Sequence, residues 1–200
     1  MASIYQLKQN FQNLLRPFVK RLYKMKVTAN HVTLLALFGS LAVSAIIWQN
    51  AEIRWLFYIV PVWMFMRMAL NAIDGMLARE FNQKSNLGAY LNELCDVVSD
   101  SALYMIFALA ANVQLVVTVV ILSIISEYAG VMAPLIGVDR RYDGPMGKSD
   151  RAFVFGVLGV MIAADIFLNF IDYILWAVAI LLCFTIFNRI KNAIKEVKNG

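Results

Sequence analysis

The sequence predicts an all-α integral membrane protein, with six transmembrane helices preceded by an N-terminal amphipathic interfacial helix. Three observations predict it. The 200 residues are 61% hydrophobic and only 16% charged, against about 45–50% and about 25% in soluble domains. The apolar residues fall into six runs, near 32–49, 55–73, 88–111, 114–137, 152–168 and 173–188, lengths suited to crossing a bilayer core that takes about 20 helical residues. Sixteen of the eighteen Lys and Arg lie at the two ends or in alternate connections. This composition excludes a disordered chain, a disulfide scaffold and a separate soluble catalytic domain. Residues 1–30 read as the interfacial helix, 31–190 as the membrane domain and 191–200 as a basic tail.

The first segment carries Lys8, Arg16, Lys20, Arg21, Lys24 and Lys26 and no acid. Its cations are spread along the segment, unlike a signal peptide. Ile4, Leu7, Phe11, Leu14, Leu15, Phe18 and Leu22 recur at helical spacing, the pattern of a helix lying on an anionic membrane face. The loop at 74–87 carries Arg79 and Lys84, the loop at 138–151 carries Arg140, Arg141, Lys148 and Arg151, and the tail carries Arg189, Lys191, Lys195 and Lys198. The other connections hold only Arg54. Cytoplasmic loops are the basic ones, so both termini are expected inside. Cys95 and Cys183 have no metal-ligand spacing and read as small packed hydrophobes. His31, just before the first span, reads as a capping or headgroup residue, and the clustered Met64, Met66, Met68 and Met76 as packing.

The acids carry the chemistry. Asp74 closes the second run, Glu93, Asp96 and Asp100 open the third, Glu127 lies inside the fourth and Asp165 near the far end of the fifth. A charge within a span costs roughly 2.5–3.5 kcal/mol on insertion scales and is commonly retained for function. Arg67, Asn71 and Asp74 share one helix face by spacing, and Asn92, Asp96 and Asp100 share another. The hairpin at 75–87 lets the two faces meet. Oxygen donors without a His or Cys cluster suit Mg²⁺, Mn²⁺ or Ca²⁺ instead of zinc. The plainer alternative has these groups pairing with one another or with Arg67 and Arg79.

The stretch Asn71-Ala-Ile-Asp74-Gly75-Met-Leu-Ala78-Arg79, eight further residues, then Gly88-Ala-Tyr-Leu-Asn92-Glu-Leu-Cys-Asp96 resembles the signature of the CDP-alcohol phosphatidyltransferase family, D-x-x-D-G-x-x-A-R followed by G-x-x-x-D-x-x-x-D. Val27-Thr28-Ala29-Asn30-His31-Val32-Thr33 is similar to the segment leading into that family's first span, with Ala29 where Pro is usual. Asn71 and Asn92 depart from the family's Asp. The resemblance implies a divalent-metal-dependent transfer of a phosphatidyl group from CDP-diacylglycerol to an alcohol, releasing CMP. It implies metal binding by Asp74 and Asp96, with Asp96 also the general base. Asn71 and Asn92 bring carbonyl oxygens without charge, and Asp100, one turn beyond Asp96, is an extra acid that can compensate. Mg²⁺ or Mn²⁺ is the expected ion, with Ca²⁺ as a structural substitute. Nucleotide binding maps to Asp74, Gly75, Ala78, Arg79 and Gly88, Arg79 meeting phosphate.

Members that take phosphorylated alcohols bind the acceptor phosphate with basic residues near a Gly-Lys pair, which Gly147-Lys148 resembles. Lys148, Arg151, Arg141 and Glu127 are the acceptor-site candidates, Glu127 as lining or as a partner of Lys148. Ser126 stands where many relatives carry Arg. The loop's cations also satisfy a simple positive-inside role, and a neutral polyol remains an alternative acceptor. The resemblance further implies a homodimer, membrane-lipid contacts, no nucleic acid, and a multi-pass bacterial inner-membrane location with the site on the cytoplasmic side. Two other reactions or roles fit the residues: phosphoalcohol transfer from a CDP-alcohol to diacylglycerol, and a catalytically silent membrane adaptor. A transporter would instead show an inverted repeat or broken helices.

Overall fold

The computed structural model describes residues 4–199. Seven α-helices follow in order: α1 (Ile4–Lys24), α2 (Ala29–Gln49), α3 (Ile59–Glu80), α4 (Asn86–Met105), α5 (Val113–Val131), α6 (Lys148–Ala163) and α7 (Ile171–Asn199). Short 3₁₀ turns sit in four connections, and no strand occurs among the described residues. Four helical stretches are long and apolar enough to cross a bilayer: Ala29–Gln49, Arg54–Glu80, Val113–Ile136 and Leu168–Lys198. Helices α4 and α6 are shorter or carry the charged faces.

α5 is mostly Val, Ile and Leu, which are indifferent helix formers in water. In hydrocarbon every backbone group must bond within its own segment, and the helix is the form that does so. Hydroxyls follow the same rule. Ser40, Ser101, Thr118, Ser123 and Thr185 each donate to the carbonyl four residues back in their own helix. Thr28 caps α2 by accepting from the His31 N–H at 3.3 Å, while His31 Nδ1 accepts from the Thr28 N–H.

Helix α3 packs on α2 and α6, α4 on α2 and α5, and α5 on α7. The main core joins α3 to α7 and is centred on aromatics: Tyr104 stacks on Phe155 with centroids 3.9 Å apart, and Phe107 meets Phe155 edge-on at 5.0 Å. A second cluster joins α1, α2 and α3 through Val19, Val32, Ile73, Met76 and Leu77. Thus α1 turns Val19, Leu15 and Leu22 onto α3, and Arg16 pairs with Glu80 at 3.0 Å. Its Leu14 and Phe18 stay exposed, so the apolar stripe is wider than the protein contact. Of the other predicted residues of that stripe, Phe11 meets the Phe65 ring edge-on at 6.2 Å, and Ile4 and Leu7 have side chains outside the described ones.

Alternating helix directions put connections 50–58, 106–112 and 164–170 at one end of the bundle. There Arg54 pairs with Asp165, and the Asn112 N–H donates to Asp172 at 2.9 Å. The other end gathers the 81–85 and 132–147 connections. The last helix runs through the basic tail to Asn199 instead of stopping near 188. Buried Arg189 and Ala193 and the pairs Arg141–Glu196 and Asn192–Asp143 hold it against the 137–147 loop.

Candidate functional site

Helix α3 ends and α4 begins around a five-residue turn at 81–85. Asn82 turns it with φ 54°, and Ser85 caps α4 by accepting from the Gly88 N–H at 3.0 Å. Gln83 ties the turn to α2, its side-chain oxygen accepting from the Ala29 N–H at 2.7 Å. This fixes the two polar faces against each other.

Asp74 is buried, and its Oδ2 accepts from the Thr33 hydroxyl at 2.8 Å. Facing it on α4, Asp96 Oδ1 accepts from the Asn71 amide at 3.1 Å and from Arg67 at 3.2 Å. Asp96 Oδ2 pairs with Lys148 at the start of α6. Arg67 also pairs with Asp100. From there a chain of ions continues inward. Arg151 donates to Asp100 at 3.2 Å and to Glu127 at 2.9 Å. Glu127 further meets Arg140 at 3.2 Å and Arg189 at 3.5 Å, and Arg140 pairs with Glu93. Arg67, Arg151 and Arg189 are 4%, 0% and 2% exposed, and such buried charge is tolerated only because each is paired.

Two clefts open around the hairpin, and Asp96 lies behind the second through its contacts with Arg67, Asn71 and Lys148, which line it. The first, of about 380 Å³, collects Asp74, Gly75, Ala78, Arg79, Gly88 and Asn92, six residues singled out from the sequence. Gly88 leaves room on this wall, where an added Cβ would stand 2.9 Å from Asn30 Oδ1 and 3.0 Å from Ser85 Oγ and push those side chains aside. The second, also about 380 Å³, is lined by Arg67, Asn71, Asp100, Tyr142, Lys148 and Ser149 among others. An apolar groove of about 450 Å³ between α3 and α6 continues from it past Met64, Met68, Phe153 and Val157.

The remaining sequence candidates spread out. Asp100 faces Arg67 and Arg151. Glu127 meets three arginines and not Lys148. Arg151 is wholly enclosed behind the second cleft. Arg141 stands apart, paired with Asp143 and Glu196. Sequence reasoning passed over Thr33, Gln83, Lys84 and Arg189. Arg189 was detectable: Leu182, Thr185 and Arg189 lie at helical spacing on one face, and all three are buried.

Among the described residues, no group of three or more His, Cys, Asp or Glu gathers closely enough to hold a metal ion. The oxygen donors at the hairpin are instead two carboxylates, Asp74 and Asp96, and two carboxamides, Asn71 and Asn92. Hard oxygen ligands are the kind a divalent ion takes, and one of these carboxylates, Asp96, also carries the pairs with Arg67 and Lys148.

Residues 26–187 match the family model described as CDP-alcohol phosphatidyltransferase. The inner membrane protein YnbA of Escherichia coli (strain K12) is 45% identical over 197 residues, covering 96% of each chain. A phosphatidylinositol phosphate synthase of Streptomyces avermitilis is 25% identical over 206 aligned residues, covering 93% of this chain and 80% of the relative. The same fold occurs in the Mycobacterium tuberculosis phosphatidylinositol phosphate synthase. Its complex with manganese and citrate matches with a TM-score of 0.74 at 19% identity, covering 88% of this chain and 87% of that one. Its complex with CDP-DAG matches at 0.73 over 88% and 92%.

Proposed function

The chain belongs to the CDP-alcohol phosphatidyltransferase family, and on that premise we propose that it moves a phosphatidyl group from CDP-diacylglycerol to the hydroxyl of a polar alcohol, releasing CMP. The observation that carries this reading is the cleft joining Asp74, Gly75, Ala78, Arg79, Gly88 and Asn92, with Asp96 one turn beyond Asn92 on α4.

In the proposed mechanism the cytidine diphosphate lies in that cleft. Arg79 and Lys84 at its rim meet the phosphate oxygens as charge-assisted donors. Gly88 keeps the wall open where any side chain would meet Asn30. Asp74, held by Thr33, and Asp96 are the charged ligands for Mg²⁺ or Mn²⁺, with Asn71 and Asn92 as neutral ones. A bound dication there would offset the pyrophosphate charge and the charge developing on the leaving CMP. Asp100 is committed to Arg67 and Arg151, so it acts as a buttress and not as a replacement ligand. Asp96 takes the proton from the attacking hydroxyl. For that, Lys148 leaves Asp96 Oδ2 as the acceptor fills the second cleft. The acyl chains lie in the groove between α3 and α6, whose lining is almost wholly apolar.

The placement in the membrane forms part of the proposal. Helices α4 and α6 are the two spans that complete six, their charged faces turned inward. The basic end of the bundle, with both termini and the site, faces the cytoplasm, and α1 rests its exposed Leu14 and Phe18 in the inner leaflet. The chain acts as a homodimer in the inner membrane.

Purified protein in lipid nanodiscs, given CDP-diacylglycerol, Mn²⁺ and a panel of alcohols, is expected to release CMP and form a new phospholipid. Asp96→Asn is expected to lose this, while Asp172→Asn at the far end keeps it. CMP release by Asp96→Asn at the wild-type rate would remove Asp96 from the mechanism.

A further inference from the structure

The two clefts differ in their charge. In the first, Arg79 and Lys84 line the cavity and have no ion pair among the described residues. In the second, the two cations are Arg67 and Lys148, and both are already taken. Arg67 pairs with Asp96 and Asp100, and Lys148 with Asp96. The arginines behind the second cleft are taken as well. Arg151, Arg140 and Arg189 converge on one carboxylate, that of Glu127, at 2.9, 3.2 and 3.5 Å. Three guanidinium groups around a single oxyanion form the kind of site that holds a phosphate. Here an internal side chain occupies it.

The charges of the region close. Asp74, Glu93, Asp96, Asp100 and Glu127 balance Arg67, Arg140, Lys148, Arg151 and Arg189. In the first cleft Arg79, Lys84 and a bound dication would face the two charges of a pyrophosphate diester, so the positive surplus lies on the donor side. An acceptor carrying a phosphomonoester would add about two negative charges in a half-buried cleft where Lys148, released from Asp96, is the single cation free to meet them, and incompletely paired buried charge is disfavoured. Besides Asp100, which Arg67 and Arg151 hold, the other polar groups of the second cleft are the Asn71 amide, the Tyr142 phenol and the Ser149 hydroxyl. Arg140 sits 4.8 Å over the Tyr142 ring and braces it. These are donors and acceptors suited to uncharged hydroxyls.

We propose that the acceptor is a neutral polyhydroxy alcohol, and that Glu127, as a built-in anion on Arg140, Arg151 and Arg189, excludes phosphorylated acceptors. This rests on the phosphatidyl-transfer reading above. Glu127 is a specificity residue acting through the arginines and touches no substrate itself.

The test is CMP release and lipid mass spectrometry in nanodiscs with CDP-diacylglycerol and Mn²⁺. Paired acceptors are offered, each polyol with and without its phosphate: glycerol against glycerol 3-phosphate, inositol against inositol 1-phosphate, and open-chain sugar alcohols against theirs. The expected result is product from neutral polyols at least about tenfold faster than from their phosphates, with inorganic phosphate not inhibiting. Glu127→Gln is expected to narrow that ratio and to make inorganic phosphate an inhibitor. Faster turnover of the phosphorylated member of a pair, or inhibition of the wild type by inorganic phosphate, overturns the inference while leaving phosphatidyl transfer intact. The wild-type ratio decides even if Glu127→Gln fails to fold. No CMP release with any acceptor overturns the reaction and the inference with it.

Discussion

Arg151→Met tests the buried ion chain. The Arg151 guanidinium is fully enclosed and donates to Asp100 at 3.2 Å and Glu127 at 2.9 Å. Methionine nearly fills the space but leaves two carboxylates short of a donor. Removing one partner of a buried ion pair costs about 3–5 kcal/mol. Asp100 keeps Arg67, and Glu127 keeps Arg140 and Arg189, so the loss belongs at the lower end, about 3 kcal/mol. The control is Arg54→Gln, which breaks the pair with Asp165, whose side chains are 56% and 65% exposed. Exposed pairs are worth about 0–1 kcal/mol. Reversible unfolding in mixed micelles, followed by circular dichroism as the fraction of anionic detergent rises, compares the two. A difference between Arg151→Met and Arg54→Gln under about 1 kcal/mol would refute the view that this chain of ions is structurally coupled.

Asp96→Asn is expected to lower CMP release by about 10²–10⁴-fold, the usual contribution of a general base, while Arg67 keeps its pair with Asp100. Restoring carboxylates with Asn71→Asp and Asn92→Asp is expected to tighten Mn²⁺ binding, read by electron paramagnetic resonance titration, since hard ions follow ligand charge. Gly39→Ala is expected to destabilise by about 1–3 kcal/mol through overpacking, because the new Cβ would land 2.2 Å from the Trp63 ring, and micelle unfolding reads it. In the 137–147 loop, hydrogen bonds from Arg141 and then Asn192 hold the Asp143 carboxyl below the usual carboxylate range. A lowered value stabilises the fold above the unfolded pKa of about 3.9 and loses that as pH falls through the folded value. Asp143→Asn is therefore expected to lower stability at neutral pH and to flatten the acid limb of the stability profile below about pH 4, where the two proteins converge.

Much of the bundle was legible because lipid imposes a simple rule on sequence. The apolar runs locate the helices, and the polar stripes of Asn71–Asp74 and Asn92–Asp96 meet at the hairpin as their spacing requires. The edges were less legible. The run read at 55–73 became a helix from Ile59 to Glu80, since its final turns extend past the apolar stretch and are held by α1 and α2. Helix α7 likewise continues to Asn199 because Arg189, Asn192 and Glu196 bond to a loop about fifty residues earlier. The partners of Glu127 were unreadable for the same reason. Periodicity assigns a residue to a face, but Arg140, Arg151 and Arg189 come from different parts of the chain, and only the folded arrangement selects among them. Thr33 beneath Asp74 and Gln83 on Ala29 are single polar residues whose purpose is set entirely by a neighbour on another helix.

Biogenesis inherits a constraint from the way charges interlock across α3, α4, α5, α6 and α7. Each of these segments, released alone from a translocon into hydrocarbon, would carry Arg67, Asp100, Glu127, Arg151 or Arg189 without its counter-ion, a burden of roughly 2.5–3.5 kcal/mol per group on insertion scales. Helix α6 is the extreme, with sixteen residues that begin at Lys148 and include Arg151. On the six-span placement proposed above, it would gain a stable place in the bilayer once α4 and α5 were there to receive those cations, Asp96 and Asp100 from the one and Glu127 from the other.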